Sequence, residues 1–417
     1  MSLFLYHISL FLYYIAIRFY SLMNEKARKW VKGRKNWQEE LKASLPAGEK
    51  RIWVHAASVG EFEQAKPVIE SLRKKYPDHK ILLSFFSPSG YEVAKKYEQA
   101  DHVTYLPMDS RSHANSFIDL VNPSLVIFVK YEFWYHYLTA LHQRNIPVIL
   151  ISAAFRKEQP FFQWYGGLFR RMLHTYNNLF VQDEPSKDLL EKIGVSGNVI
   201  VSGDTRYDRV AEIAHSLKTI PIVEQFRSLS KLIFGGSTWP EDEKLLKDCM
   251  PVFPPGWKLV VAPHEINEMH LRNISVLFGE EMVLYSVFEQ TPGASEKRVL
   301  VVDNIGILSS LYSYGEIAFI GGGFQRGGIH NILEPAVFGL PVLFGPGYTK
   351  FVEANLFVKR QFAFPVFNQP DAGAIFGKLI VDNDHRLALQ ESIREYMKGQ
   401  TGATETISNY ISRHILL

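Results

Sequence analysis

Short apolar runs alternate with amphipathic stretches from about residue 50 to residue 400, and nothing else in the chain limits its fold as much. Runs rich in Val, Ile and Phe predict strands at 51–57, 80–87, 102–106, 125–129, 147–152, 178–182 and 199–202. Helical patterns lie between them, as at 61–76 and 184–193. A second series predicts strands at 231–235, 257–262, 282–287, 298–302, 316–320 and 341–344. Strands alternating with helices build a parallel sheet with helices on both faces. Continuous apolar strands such as ILLSFF and LVIFV suit sheets buried on both sides. The expected architecture is α/β with two Rossmann-like domains facing a central cleft. The first spans 50–206 and the second 231–417, ending in a helical region at 383–410; 207–230, with no strand pattern, links them. Ligands of such sheets bind beyond the carboxyl ends of the strands, so residues just after each strand are the ones to weigh.

Residues 1–49 stand apart. The run LFLYHISLFLYYIAIRFYSLM (3–23) carries one charge, Arg18, and is just long enough to span a bilayer, which takes about 20 apolar residues. Seven aromatic residues lie within it, and tyrosines favour the membrane interface. Lys26, Arg28, Lys29, Lys32, Arg34 and Lys35 follow, against one acid, Glu25. Each base near an anionic surface contributes about 1 kcal/mol. An apolar run with a basic flank predicts attachment to an anionic membrane surface, as a spanning or a surface-lying helix. The alternative is a soluble helix packed on the protein. With no basic segment before the run and no small-residue cleavage site after it, it does not read as a signal peptide. A spanning helix would keep its basic flank, and the catalytic domains, on the cytoplasmic side of the inner membrane.

Composition narrows the classes. Of 417 residues, 47% are hydrophobic and 21% charged, which excludes a wholly disordered chain. A net charge of only +3 gives no nucleic-acid signature. The single Cys249 can form neither an intrachain disulfide nor a cysteine-based zinc cluster. No Asp-x-Asp or His/Cys cluster suggests a metal, and no cofactor is expected.

Four motifs carry chemistry. In WVHAASVGEFEQ (53–64) a strand turns through Gly60 into a helix whose first turn holds Glu61. The helix dipole keeps a carboxylate there ionised, ready to accept a proton from an attacking hydroxyl. Acids also favour first helical turns for stability alone, and both readings stand at this point. In VKYEFWYH (129–136), Glu132 and Trp134 follow a strand and can orient a sugar by hydrogen bonding and stacking; a plain helix start with a packed Trp is the alternative. In FGGSTW (234–239), Ser237 and Thr238 can cap a helix or donate to a phosphate. The fourth is FIGGGFQRGGIHNILEPAVFGLPVLFGP (319–346), where glycines including Gly322 and Gly323 precede Arg326, Asn331 and Glu334. Free N–H groups beside a helix start make an anion site, and Glu334 can accept both hydroxyls of a ribose. Packing alone does not account for that spacing.

Taken together, these motifs resemble those of the 3-deoxy-D-manno-octulosonic acid (Kdo) transferases, glycosyltransferases of the two-Rossmann GT-B class. HAASVGE is similar to the family's HAxSVGE, whose last acid is the proposed catalytic base; this implies Glu61 as base, with Ser58 toward the acceptor. EFW resembles the end of ETELWP, placing Glu132 and Trp134 toward the acceptor, with Lys130 replacing the first acid. GDTRYD (203–208) resembles GNLKFD, with Arg206 in the lysine position, and GGST resembles GSTH, with Trp239 replacing the His. APRHPER appears as APHEINE, without its usual Arg, and GDTMGEL appears as VDNIGIL, keeping Asp303 and Gly306. The resemblance implies inverting transfer of Kdo from CMP-Kdo to a lipid A precursor (lipid IVA) in lipopolysaccharide synthesis, without a metal. Arg206, Ser237, Thr238, Asp303, Gly306, Gly322, Gly323, Arg326, Asn331 and Glu334 would face the donor. Another GT-B nucleotide-sugar enzyme, such as an epimerase, and a membrane-tethered protein without catalysis are the competing readings.

Overall fold

The computed structural model of the chain describes residues 2–46, 48–217 and 219–416. It divides into two compact units, Met1–Arg209 with Gln400–Leu417, and Val210–Gly399. Each is built on its own seven-stranded sheet.

In the first unit the strands are β1 (Arg51–Ala56), β2 (Lys80–Phe85), β3 (His102–Tyr105), β4 (Pro123–Val129), β5 (Val148–Ala153), β6 (Asn178–Val181) and β7 (Val199–Val201). They lie in the order β3-β2-β1-β4-β5-β6-β7, every pairing parallel. Side chains alternate across a strand, and here both faces are dry. Trp53, Leu82, Val126 and Phe128 feed one apolar cluster, while Ile52, Val54, Leu83 and Ile127 feed the other.

In the second unit the strands are β8 (Lys231–Thr238), β9 (Trp257–Pro263), β10 (Met282–Leu284), β11 (Val299–Val301), β12 (Gly315–Ile320), β13 (Val342–Phe344) and β14 (Ala363–Pro365). Their order is β10-β11-β9-β8-β12-β13-β14, again parallel throughout. The short edge strand β14 carries too little pattern to be read from sequence. The run expected as strand 282–287 turns into a 3-10 stretch at Tyr285–Gln290.

The structure fills in or corrects three segments. First, 24–46 is not merely a basic linker. After α1 (Ser2–Tyr20) come α2 (Glu25–Lys32) and α3 (Trp37–Ser44), whose Trp30, Trp37 and Leu41 are buried. Arg34 leaves the basic flank altogether: its guanidinium donates to the carbonyls of Leu106 (2.8 Å) and Phe86 (2.8 Å) and stacks over the Trp30 ring. Second, the link 207–230 is helical at Thr205–His215 and Pro221–Arg227. Third, the terminal helical region breaks at Gly402 (φ +115°), a conformation glycine adopts freely. The helix after it, Ala403–His414, belongs to the first unit, burying Ile407 and Ile411 against α4 (Val59–Lys75). An amphipathic pattern shows that a helix has a buried face, but not which core receives it.

Helix α1 combines the two readings given for it. Its Leu3 and Tyr6 pack against the first unit, and the Tyr6 hydroxyl donates to Asp109 (2.5 Å). Phe4, Leu5, Phe11, Leu12 and Phe19 are exposed, and Leu3–Tyr20 is long and apolar enough to cross a membrane.

Candidate active site

A doubly wound sheet opens a crevice where the strand order reverses, beyond the carboxyl ends of the two strands that flank the reversal. In the first unit these strands are β1 and β4; in the second, β8 and β12. All four motifs sit at these ends.

Leaving β1, the chain enters α4 with Ser58 as N-cap. S-V-G-E is the spacing of a capping box, in which the Ser and Glu side chains bond to backbone N–H groups. That is not what forms. Ser58 makes no side-chain bond to a helix amide; its hydroxyl donates to the Glu61 carboxylate instead. Glu61 is therefore a half-buried carboxylate near the positive end of a helix, oriented by a neighbouring hydroxyl.

Leaving β4, the backbone passes through Lys130 at φ +71°, a left-handed conformation costly for any residue but glycine. Glu132 is only 3% exposed. Its carboxylate accepts from the Trp134 indole (2.5 Å) and lies 3.1 Å from His55 Nε2, while Tyr176 donates to its main-chain oxygen. On its far side His55 is held by Ser84 Oγ at 2.8 Å. This corrects the expectation for Glu132, whose carboxylate is consumed inside the protein and orients Trp134. The Trp134 ring, half-buried, packs on Phe86 at 5.1 Å. His55 opens the HAASVGE motif but was given no role from the sequence, and nothing there distinguishes Ser84 from other strand residues.

Arg206 lies in the first unit, in the opening turn of the helix after β7. Its guanidinium holds Asp204 through Nε (2.9 Å) and Nη2 (2.7 Å). Burial pushes the Asp204 carboxyl upward, but Arg206 and the other hydrogen bonds outweigh it and hold the group below the usual carboxylate range.

In the second unit, Ser237 at the end of β8 has φ +51° and stays partly exposed, whereas Thr238 is buried and donates to Glu243 (3.0 Å). Thr238 thus braces the strand end, and its expected role as a phosphate donor is not supported by this geometry. The glycines after β12 are required by space. A Cβ on Gly321 would fall 2.2 Å from the Ser237 carbonyl, and one on Gly323 would fall 2.5 Å from the Gly345 nitrogen. Gly322 (φ +88°) donates its N–H to Asp242 (2.9 Å), which also accepts from Trp239 N (2.9 Å). Asp242 is wholly buried, and burial raises its pKa to about 6.

The same loop carries exposed Arg326 and Asn331. Asn331 donates to Glu334 Oε1 (3.1 Å), and Ser309 donates to Oε2 (2.8 Å). Glu334 is half-buried, in the short helix Leu333–Ala336. Farther along, Asp303 accepts from the Ser286 amide (2.9 Å) and hydroxyl (2.5 Å), and Gly306 (φ +91°) is exposed. Beside the glycine loop lies a stack absent from the expected set. Trp239, His264 and His330 pile with ring centroids 5.0 and 4.2 Å apart. The Trp239 indole donates to His330 Nε2 (3.2 Å). Burial, and then His264, lower the His330 pKa to about 4, so it is neutral near pH 7. The departures from family pattern at Trp239 and His264 were the only hint of this stack in the sequence.

Comparison with known proteins agrees with this layout. A family profile described as 3-Deoxy-D-manno-octulosonic-acid transferase (kdotransferase) matches residues 34–209. The 3-deoxy-D-manno-octulosonic acid transferase of Aquifex aeolicus is 29% identical, covering 79% of this chain and 86% of that protein. The enzyme of the same name from Chlamydia trachomatis is 26% identical, covering 83% and 82%. Among solved structures, UDP-GlcNAc 2-epimerase from Neisseria meningitidis superposes with TM-score 0.60 at 18% identity over 87% of this chain and all of that one (100%). Acinetobacter baumannii MurG does so with TM-score 0.54 at 12% identity over 87% and 99%. At such identities the structures attest the fold alone. The sequence matches bear out the resemblance drawn from the motifs: this chain is a relative of the Kdo transferases.

Proposed function

We propose that this relative of the Kdo transferases is itself a glycosyltransferase, transferring Kdo from CMP-Kdo to a lipid A precursor in lipopolysaccharide synthesis. The observation that carries the reading is Glu61. It stands at the switch point of the first sheet, and its partner Ser58 orients it instead of capping the helix. Such a carboxylate can take the proton of an acceptor hydroxyl as that oxygen attacks the anomeric carbon from the side opposite the leaving group, giving inversion. The CMP phosphate leaves with the bonding electrons. In the second unit, Ser237, backbone N–H groups of the glycine loop and Arg326 are suited to a phosphate, and Glu334 to a ribose. Arg206 is assigned to the phosphate by its motif position. CMP carries a single phosphate, a charge these groups can meet without a metal.

We assign the exposed apolar face of α1, with Lys26, Arg28, Lys29, Lys32 and Lys35, to the cytoplasmic face of the inner membrane, where a lipid acceptor is confined. The decisive experiment is release of CMP from CMP-Kdo that depends on added lipid A precursor, with the glycolipid product identified by mass. Turnover of a UDP-sugar without an acceptor would instead identify an epimerase. Tight CMP binding without turnover would identify a binding protein.

A further inference from the structure

Beside α1 lies a groove lined by none of the residues assigned to the transfer reaction. Its volume is about 840 Å³, within the range of pockets that hold small amphiphiles. One wall is α1, through Leu3, Leu10 and Phe11. The other is α6 (Arg111–Val121) and the helix after β4, α7 (Tyr135–Gln143), with α5 (Pro88–Ala94) preceding them in the chain. Most of the lining is apolar, but the charge at its mouth is of one sign. Arg111 is exposed there, with no carboxylate partner among the described residues, and is the fixed cation of the lining; His113 also lines the groove, and His7 and His136 share a hydrogen bond between their Nε2 atoms (2.8 Å). The one acid in the lining, Asp109, is 4% exposed and already accepts from the Tyr6 hydroxyl and the His136 and Tyr137 amides. Its charge is turned inward, and the mouth is left basic.

We propose that this groove binds one anionic phospholipid of the bilayer. An acyl chain would lie between α1 and the α6–α7 wall, and the phosphate would meet Arg111. Two features select this occupant. The basic mouth complements a phosphate and offers nothing to a neutral amphiphile. The groove also opens beside α1, whose exposed Phe4, Phe11 and Leu12 continue its apolar lining outward. A chain entering from a bilayer would therefore never cross water. The lipid would complete the packing of α1, which otherwise meets the unit through Leu3, Tyr6, His7 and Tyr13.

The test is native mass spectrometry of the full-length protein in mild detergent, titrated with phosphatidylglycerol and, separately, with diacylglycerol of the same chain length, which lacks the phosphate. A single retained phosphatidylglycerol, with diacylglycerol bound at least about 10-fold more weakly, is expected. Arg111→Gln should weaken phosphatidylglycerol about 10-fold or more, and Leu10→Trp, which fills the groove, should abolish the adduct. Both positions retain some exposure, and unchanged melting would show that each variant is folded. Equal binding of the two lipids, or an adduct unaffected by both substitutions, overturns the proposal. Displacement of the adduct by stoichiometric lipid A precursor also overturns it, because the groove would then be an acceptor subsite. CMP-Kdo turnover is not read in any arm, so the result stands apart from the transferase assignment.

Discussion

Replacing Glu61 by Gln separates catalysis from stability, because the structure gives the carboxylate little structural work. Glu61 makes no cap to the α4 backbone; its described partner is the Ser58 hydroxyl, which can still donate to the amide oxygen of Gln. What the fold loses is one negative charge in a first helical turn, about 0.3–1 kcal/mol. What the reaction loses is its general base, about 10²–10⁴-fold, or roughly 2.7–5.5 kcal/mol at 1.36 kcal/mol per decade. Melting should therefore stay within a few degrees, calorimetric CMP affinity should hold within about twofold, and acceptor-dependent CMP release should fall at least about 100-fold. Ser58→Ala keeps the carboxylate but frees its orientation, so its loss should be smaller, and Ser58→Thr, which keeps a hydroxyl, should retain more of the rate. A Glu61→Gln enzyme that keeps half its rate would make Glu61 an ordinary helix-start acid. So would a fall in activity that merely follows a fall in stability.

Four further outcomes are expected. Glu334→Ala should weaken CMP by about 1.5–3 kcal/mol in calorimetry without changing acceptor KM, and unchanged affinity would remove Glu334 from the donor site. Gly323→Ala places a Cβ 2.5 Å from the Gly345 backbone nitrogen, where neither backbone can yield freely; it should cost about 1–3 kcal/mol in denaturant melts and also reduce CMP binding. The His330 pKa, about 4 against an ordinary 6.5, sits below its unfolded value, so the unfolded chain binds more protons between those pH values. Its contribution is complete above about pH 6.5 and is lost as pH falls toward 4, on the order of 1 kcal/mol after allowing for partial exposure; His330→Gln should flatten that limb of stability against pH. Removing 2–23 should leave a folded, CMP-binding protein that works poorly on liposomes and better on detergent-dispersed acceptor, whereas removing 2–49 also removes buried Trp37 and Leu41. Large-to-small changes at such sites cost about 2–5 kcal/mol each, so the longer truncation should melt far lower or aggregate, as differential scanning calorimetry would show.

The burial of Trp37 and Leu41 goes beyond the basic flank that the sequence shows, and the reason is general. Periodicity reports which residues prefer to be buried, and over long, strongly patterned stretches it reports strands and helices as well. Among the described residues, thirteen of the fourteen strands were legible in this way, missing only the edge strand Ala363–Pro365. So was the placing of Glu61, Glu132, Ser237 and the glycine loop at strand ends, since topology of this class puts ligands there. Why glycine is required at 321 and 323 was not legible: a Cβ there would meet the backbone of Ser237 and of Gly345. Partners were not legible. Basic residues of 26–35 look alike in sequence, yet Arg34 turns inward to the Leu106 and Phe86 carbonyls. Glu132 and Glu61 occupy similar places after strands. A tertiary contact with His55 and Trp134 buries the first carboxylate, while the second keeps partial access with a hydroxyl beside it. The chain pattern determines that each segment has an inner face. Only the packing of segments distant in sequence decides what that face meets, and so which acids remain available for chemistry.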